Sequence, residues 1–405
     1  MPRREGPAMS LGAIERYNET LLRLGEDVGL RDLDALREGV PRGTLRRWMG
    51  EFSPPEGPCY EDARPLTSVD WFPILENRAP DNLPETAFPR WGMVTERCAL
   101  RLLPTHLPVS RISGDRYDDL LQETALLPGE PLALLHPSRD GRWYYAAASF
   151  ARGWVPVSAI GLCRSREDWC SAREMERFLV VTDSGFALPR DPYAPGRREL
   201  SLGMRLRLLS GPDEPRPLRG RVLYDCYLVN FPTREADGRL SFLPVAVPIS
   251  RPVHVGYLPY RPESAWALAQ NLRGETYGWG GMLGGRDCSG LVQELFRCFG
   301  FRLPRNSAGL ALLPGGMDVS CRSLAEKRAL LRRQRPGTLL WFPGHVMLYG
   351  GERNGKLCCL SAAGRFGTER SQARAVNTVA LTSLEVKRPS GETWLQALER
   401  ILPIP

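Results

Sequence analysis

The sequence predicts a multidomain chain: an irregular N-terminal segment, two small β-barrels in succession, and a C-terminal α+β domain. Three observations carry this prediction. The 405 residues exceed the usual size of one domain. Short β-rich runs separated by turn signals fill the middle of the chain, and helical patterns followed by strand patterns fill its last part. We place the boundaries at residues 1–90, 91–165, 177–260 and 261–405.

Residues 1–90 combine one helical stretch with a proline-rich one. Apolar residues recur at helical spacing from Leu11 to Leu24. After Trp48, prolines are too dense for long helices or central strands. We expect this segment to lie over other domains without a core of its own.

The middle of the chain has the pattern of short strands and turns that is typical of small antiparallel barrels. Asp140 and Gly141, followed by the aromatic run from Trp143 to Tyr145, predict a β-hairpin. Residues 177–260 repeat this pattern in runs such as RFLVVTD and RVLYDCYLV. Short strands at this spacing favour two barrels, which we interpret as two copies of one small β-domain.

The last region, residues 261–405, begins with helices and continues with strands. ESAWALAQNL precedes Gly274, and CSGLVQELFRCFG has apolar residues on one helical face and ends at Gly300. The runs GTLLWF, HVMLYG, KLCCLS and NTVALTSLEV predict consecutive strands, and TWLQALERIL predicts a closing helix. This order is typical of an α+β domain.

Cys288 is the candidate nucleophile among ten cysteines. It follows a glycine-rich loop and begins a predicted helix, where unpaired N–H groups and the helix dipole favour a thiolate. The other reading is a small buried apolar residue, which we expect for the remaining nine cysteines. His345 is the candidate base, because it is the only histidine in the last 150 residues and opens a strand after the turn Phe342-Pro343-Gly344.

Composition excludes several other functions. The net charge is +8, but only three of the 54 basic residues are lysine and the arginines are scattered, so we expect no nucleic-acid partner. No cysteine pair or cysteine–histidine group has zinc spacing, so we expect no metal site. No apolar run reaches the length of about 18–20 residues that a membrane-spanning helix needs.

These motifs resemble a known family. YGWGG with RDCSG, then LPRNSAG, then PGTLLWF with HVMLYGG resemble the NlpC-type (NlpC/p-sixty) papain-like endopeptidases, which cleave stem peptides of bacterial peptidoglycan. GMVTERCALRLLPT, GEPLALLHPSRDGRWYYAAAS and GWVPVSAI resemble the first of two bacterial SH3-like domains in a multidomain branch of that family. That branch also carries an N-terminal clip, so the resemblance spans nearly the whole chain.

The resemblance implies a role for each matching residue. Cys288 would be the nucleophile, His345 the base and later the acid, and Tyr277 a hydrogen-bond donor beside the thiolate. Asp287, Ser289 and Trp279 would contact the substrate. Tyr277 and Trp279 would also pack well as parts of a turn, which is their alternative role.

The third catalytic position departs from the family pattern. The family places a polar residue, often histidine, on the strand after the catalytic histidine, and the strand register we predict puts Leu360 there. Leucine cannot accept a hydrogen bond from an imidazole. Either Ser361, a cysteine, a main-chain carbonyl or water takes over, or catalysis is impaired.

The resemblance implies a cysteine endopeptidase that cleaves the γ-D-glutamyl–diamino acid bond in short wall peptides with a free N-terminal L-Ala. It needs no metal and no organic cofactor. One alternative is a catalytically weakened relative that binds wall peptide, which Leu360 favours. The other is an amidase or acyltransferase on the same scaffold.

The expected partners are peptidoglycan stem peptides, and the expected state is a monomer. The family acts in the periplasm or cell envelope. The N-terminus, MPRREGPAMSLGAIERYNET, has a basic start but no apolar core behind it, so we expect no signal peptide in this sequence, and a cytoplasmic protein is the alternative.

Overall fold

A computed structural model describes residues 8–191, 196–368 and 371–405. The basic start of the sequence falls within residues 1–7, outside the described residues. The chain forms two compact units. One joins the N-terminal residues up to 30 with residues 181–184 and 257–405, and we call it the catalytic unit. The other comprises residues 31–180 and 185–256, and we call it the β unit.

The helices of the described residues are short apart from the first. In chain order, α1 to α9 are Leu11–Leu24, Arg42–Met49, Ser68–Glu76, Arg166–Arg173, Pro262–Gln270, Cys288–Arg297, Ser307–Ala311, Leu324–Leu331 and Trp394–Ala397. Short 3-10 helices are Gly25–Val28, Asp34–Glu38, Pro80–Asn82, Val157–Ala159 and Trp279–Gly284. None of the helices described here is long and apolar enough to cross a membrane.

The strands account for most of the regular structure. In chain order, β1 to β26 are Val40–Pro41, Tyr60–Glu61, Arg64–Pro65, Thr86–Ala87, Arg90–Val94, Cys98–Arg101, Gln122–Leu126, Pro131–Pro137, Trp143–Ala148, Ala151–Pro156, Ile160–Leu162, Phe178–Val181, Gly185–Ala187, Glu199–Ser201, Arg205–Ser210, Pro217–Leu218, Arg221–Val222, Cys226–Arg234, Leu240–Pro248, Val253–Val255, Met317–Asp318, Leu339–Phe342, His345–Arg353, Lys356–Thr368, Ser371–Ser383 and Arg400–Leu402.

Two larger sheets build the β unit. One has seven strands in the order β11-β5-β8-β9-β10-β6-β7, and the other has five in the order β19-β18-β15-β12-β20. The predicted hairpin is confirmed: β8 and β9 pair antiparallel, and Gly141 takes the positive φ of 67° that its turn requires. Apolar side chains such as Trp143 and Trp154 fill the core beside this hairpin.

A six-stranded sheet in the order β21-β26-β22-β23-β24-β25 forms the centre of the catalytic unit. Helix α6 packs against β23 and β24. Its residues Leu291, Val292, Leu295 and Phe296 are fully buried, which confirms the apolar face predicted from the sequence. The four predicted strands are present as β22 to β25. Together these elements position the first turn of α6 beside the start of β23.

The N-terminal helix is an integral part of the catalytic unit. Ser10 caps α1 by accepting a hydrogen bond from the backbone of Ala13, and the helix spans the predicted range. The side chain of Asn18, 3% exposed, donates to the carbonyl of Gly300 at 2.9 Å and accepts from the backbone of Arg302 at 2.9 Å. Buried hydrogen bonds therefore join residues that are distant in sequence.

The closing helix predicted from TWLQALERIL is wrong beyond its first turn. Thr393 caps α9, but the backbone becomes extended at Leu398, and Arg400–Leu402 form β26. This strand pairs with β22, and Ile401 is fully buried in the core of the sheet. Pairing in the sheet outweighs the local helical pattern of this short segment.

Candidate active site

Cys288 is the first residue of α6. The glycine-rich loop before it cannot continue the helix, because Gly280, Gly281 and Gly284 have φ values of 53°, 79° and 71°. Asp287 has an extended backbone and caps the helix, so α6 begins at the candidate nucleophile, Cys288. Cys288 itself is buried, with 9% of its surface exposed.

The carboxylate of Asp287 accepts five hydrogen bonds. Oδ1 accepts from the backbone of Gly290 at 2.7 Å, from the hydroxyl of Ser289 at 3.2 Å and from Arg305 at 3.0 Å. Oδ2 accepts from the backbone of Gly280 at 2.9 Å and from Arg305 at 2.6 Å. Although burial alone would raise the pKa of Asp287, the charge and hydrogen bonds of Arg305 hold that pKa below its usual value. The side chain of Asp287 is therefore expected to carry its negative charge at neutral pH.

The surroundings of Cys288 favour the thiol over the thiolate. Burial, and then the negative charge of Asp287, raise the pKa of Cys288 to about 12, while the backbone N–H of Val346 and the charge of Arg305 oppose that rise. The backbone N–H of Ser289, in the first turn of α6, lowers the pKa of Cys288, which is the direction predicted from the sequence. Desolvation of the sulfur outweighs the helix dipole.

His345 opens β23 after the tight turn of the hairpin. It pairs with Phe342 across the turn. Its Nε2 lies 3.1 Å from Oγ of Ser361, within hydrogen-bond distance, and its ring centroid lies 4.9 Å from that of Trp394 and 5.3 Å from that of Phe342. Burial, followed by the charge of Arg388, lowers the pKa of His345 to about 4. The lowered pKa favours a neutral imidazole at pH 7, and the side chains of Ser361, Trp394 and Phe342 lie next to its ring.

The register that puts Leu360 beside His345 is wrong. Leu360 pairs with Leu348, so its side chain shares the face of Leu348, which is opposite to the face of His345. A β-bulge between Tyr349 and Gly351 shifts the register by one residue. Ser361, which is 2% exposed, therefore takes the position next to the imidazole.

Tyr277 and Trp279 lie on the loop that precedes α6. The backbone of Tyr277 donates to the carbonyl of Asn377 at 3.0 Å, and a β-carbon at Gly364 would come within 3.5 Å of the Tyr277 ring. This contact joins the loop to the β24–β25 hairpin. Trp279 is 44% exposed, whereas Ser289 is 5% exposed and hydrogen-bonded to Asp287.

Two arginines of this site were not singled out from the sequence. Arg305 binds Asp287 from 18 residues away. Arg286, which is 2% exposed, donates to Glu294 at 2.7 Å and to Glu275 at 2.5 Å. Arg286 lies in the motif RDCSG, and Arg305 lies in the motif LPRNSAG. No local pattern gives their partners, because ion pairs between separate segments depend on the fold.

No group of three or more histidine, cysteine, aspartate or glutamate residues within the described ranges is arranged to hold a metal ion. The candidate site consists of a thiol, an imidazole and a hydroxyl, with a buried ion pair beside the thiol. Such a set can support nucleophilic attack with proton transfer.

Comparison with known families identifies two parts of the chain. Residues 274–368 match the NlpC/P60 family, and residues 111–156 match an SH3 domain of the SH3b1 type. The NlpC/P60 match includes Cys288, His345 and Ser361. The chain is therefore a multidomain protein with an SH3b1-type domain and a C-terminal domain of the NlpC/P60 family, which is a family of cysteine peptidases. No curated protein sequence matches the chain.

Two solved structures share the fold. A novel NlpC/P60 endopeptidase from Photobacterium damselae subsp. piscicida is 20% identical, with a TM-score of 0.75 over 98% of this chain and 94% of that one. An NlpC/P60 family protein from Bacillus cereus ATCC 10987 is 16% identical, with a TM-score of 0.53 over 77% of this chain and 99% of that one. At these identities the likeness concerns the fold.

Proposed function

We propose that this protein is a cysteine endopeptidase of bacterial cell-wall stem peptides. One observation carries the proposal: Cys288 begins a helix beside β23, and His345 at the start of that strand has one ring nitrogen hydrogen-bonded to Ser361. Because Ser361 occupies Nε2, Nδ1 is the nitrogen available to take the proton of the thiol.

The proposed reaction begins with a neutral pair. The thiol proton moves to Nδ1 of His345 as the sulfur of Cys288 attacks the carbonyl carbon of the scissile amide. The backbone N–H of Cys288 and the hydroxyl of Tyr277 would stabilise the oxyanion. The C–N bond then breaks, and the imidazolium gives its proton to the leaving amine. Water, deprotonated by His345, hydrolyses the thioester and restores the thiol.

The substrate is proposed to be a short stem peptide, cut between γ-D-glutamate and the diamino acid. Trp279 is exposed and so open to contact with the peptide. Asp287 already accepts five hydrogen bonds, so a peptide amino group would compete with Arg305 or Gly280 for its oxygens. Ser289 donates to Asp287 and accepts from Arg305, which leaves one lone pair on its hydroxyl.

The domain organisation is part of the proposal. We assign an N-terminal clip to residues 1–90, SH3-like barrels to residues 91–165 and 177–260, and a papain-like domain to residues 261–405. The protein would act as a monomer in the periplasm or cell envelope. The SH3b1-type match within the first barrel supports this assignment.

A panel of defined peptides tests the proposed function. L-Ala-γ-D-Glu-diaminopimelate, its N-acetylated form and its longer stem analogues are incubated with the protein, and the products are identified by mass spectrometry. We expect L-Ala-D-Glu and the diamino acid fragment, with slower cleavage of the acetylated peptide. Hydrolysis of the N-acetyl amide of the acetylated peptide would instead identify an amidase, and transfer of an acyl group to the amine of a second peptide would identify an acyltransferase.

A second candidate function is a wall-peptide binding module. The neutral resting pair favours it, because a protonated thiol is a weaker nucleophile than a thiolate. In that case calorimetry would detect saturable binding of the same peptides with no product at any pH. Cleavage at a defined bond would exclude this alternative.

A further inference from the structure

A buried arginine lies next to the residue before the nucleophile. Nη1 and Nη2 of Arg305 donate to the two carboxylate oxygens of Asp287, and Nη1 also donates to the hydroxyl of Ser289 at 3.1 Å. The side chains of Arg305 and Asp287 are only 7% and 11% exposed. A two-point contact of this kind fixes the carboxylate in direction as well as in position.

Asp287 has two opposing effects on Cys288. As the N-cap, its carboxylate holds the first turn of α6 and the loop at Gly280, which places the nucleophile. As a buried anion one residue away, it also disfavours a negative charge on the sulfur. A neutral cap would avoid that effect, so an ionised cap needs a compensating positive charge.

We propose that Arg305 is a positioning residue for Cys288: it holds Asp287 in its capping geometry and offsets the negative charge of Asp287 beside the nucleophile. The inference deepens the proposed function and rests on it. Arg305 contacts no reacting atom in this assignment. It acts through Asp287 and Ser289, on either side of the thiol.

The loop that carries Arg305 is itself held in place. Asn306, the next residue, caps α7 by accepting from the backbone of Gly309 at 2.7 Å. Gly309 packs so closely on the N-terminal segment that a β-carbon there would come within 2.4 Å of the carbonyl of Val28. The N-terminal segment therefore backs the loop that presents Arg305, all within the catalytic unit.

Alkylation of Cys288 tests this inference without any peptide turnover. Second-order rates with iodoacetamide are measured at pH 7 to 10 by mass spectrometry of the peptide that contains Cys288. Below its pKa, the thiolate fraction of a cysteine falls about tenfold for each unit by which that pKa rises. We expect Arg305→Gln to slow alkylation at each pH by about tenfold or more.

Two further variants separate charge from structure. Arg305→Lys keeps the charge but loses the two-point contact, so we expect its rate to lie between those of the wild-type protein and Arg305→Gln. Asp287→Asn combined with Arg305→Gln removes both charges, and we expect this variant to alkylate at the wild-type rate or faster. Arg101→Gln is the matched control, since Arg101 forms an equally buried ion pair with Asp119 in the β unit. It should lower the melting temperature without changing the alkylation of Cys288.

The outcomes are distinct. Wild-type alkylation in Arg305→Gln, or equally slow alkylation in the single and double variants, would overturn the inference and leave Arg305 a structural role. If Arg305→Gln does not fold, the double variant decides, because a tenfold slower rate in that variant contradicts charge compensation. If the wild-type protein cleaves no peptide, the proposed function fails while the alkylation series still reports on Arg305.

Discussion

Ser361→Ala removes the one side-chain hydrogen bond that the structure gives to the ring of His345. The atoms Nε2 and Oγ lie 3.1 Å apart, and Ser361 is 2% exposed, so water has little access to replace the hydroxyl. The rings of Phe342 and Trp394 remain in place in this variant. The change therefore loosens the imidazole without releasing it.

The size of the effect follows from these contacts. A neutral hydrogen bond contributes about 0.5–1.5 kcal/mol net, and 1.4 kcal/mol of barrier is about tenfold in rate. Serine carries no charge, so its loss removes orientation but little electrostatic stabilisation of the imidazolium. We expect kcat on a wall tripeptide to fall by about two- to thirteenfold, with little change in KM and a loss of about 1 kcal/mol in the free energy of unfolding.

Initial rates and urea denaturation are measured on the same preparation. Ser210→Ala is the matched control, because Ser210 is an equally buried strand serine in the β unit. Unchanged kcat in Ser361→Ala would refute the orienting role of Ser361. A loss beyond about a thousandfold in a folded variant would refute the magnitude, since such losses are typical of charged orienting groups.

Three further predictions follow from the burial and charge of the site. Leu360→His should not raise kcat, and it should lower the free energy of unfolding, measured by urea denaturation, by about 2–5 kcal/mol, because the new imidazole would face the fully buried side of the sheet. A higher kcat in this variant would contradict the register. The value of kcat/KM should stay constant from neutral pH down to about pH 5 and fall below pH 4, because protonation of His345, whose pKa is lowered to about 4, removes the base. A decrease centred near pH 6.5 would contradict the burial of His345. Arg286→Met should lower the free energy of unfolding by about 3–5 kcal/mol, since it leaves the buried Glu294 and the partly buried Glu275 without their charge partner. A loss under 1 kcal/mol in urea denaturation would show that these ion pairs are dispensable.

Local patterns account for the elements that the sequence predicts correctly. Helix α1 begins at a serine cap and ends at a glycine, and α6 buries a continuous apolar face. The hairpin at Asp140 and Gly141 needs only a turn pair and two strands beside it. In each case the signal and the structure lie within about fifteen neighbouring residues.

The strand register at His345 was not predictable in this way. If the pairing of β23 and β24 continued from Arg353 and Lys356 without a bulge, Leu360 would lie on the same face of the sheet as His345. The bulge at Gly350 and Gly351 moves Ser361 there instead. Gly351 has a φ of 83°, and Gly350 packs against the ring of Trp266, so the bulge depends on tertiary contacts as well as on the glycine pair.

The charges around the thiol were equally hidden from the sequence. The helix N-terminus at Cys288 predicts a thiolate, but burial and the charge of Asp287 both raise the pKa of the thiol. Arg305 reaches that carboxylate only because the loop after α6 folds back over its first turn. Residues that contact each other only because the chain reverses direction between them leave no periodic pattern in the sequence.

The measurement that tests the central claim most directly is the cleavage of L-Ala-γ-D-Glu-diaminopimelate by the wild-type protein and by Cys288→Ala, side by side. Mass spectrometry follows the intact peptide and both fragments over time, and circular dichroism verifies that the variant is folded. We predict complete conversion by the wild-type protein and no product from Cys288→Ala, which lacks only one sulfur atom at a nearly buried position. Equal cleavage by the two proteins, or none by the wild-type protein on any stem peptide, would contradict a thiol endopeptidase.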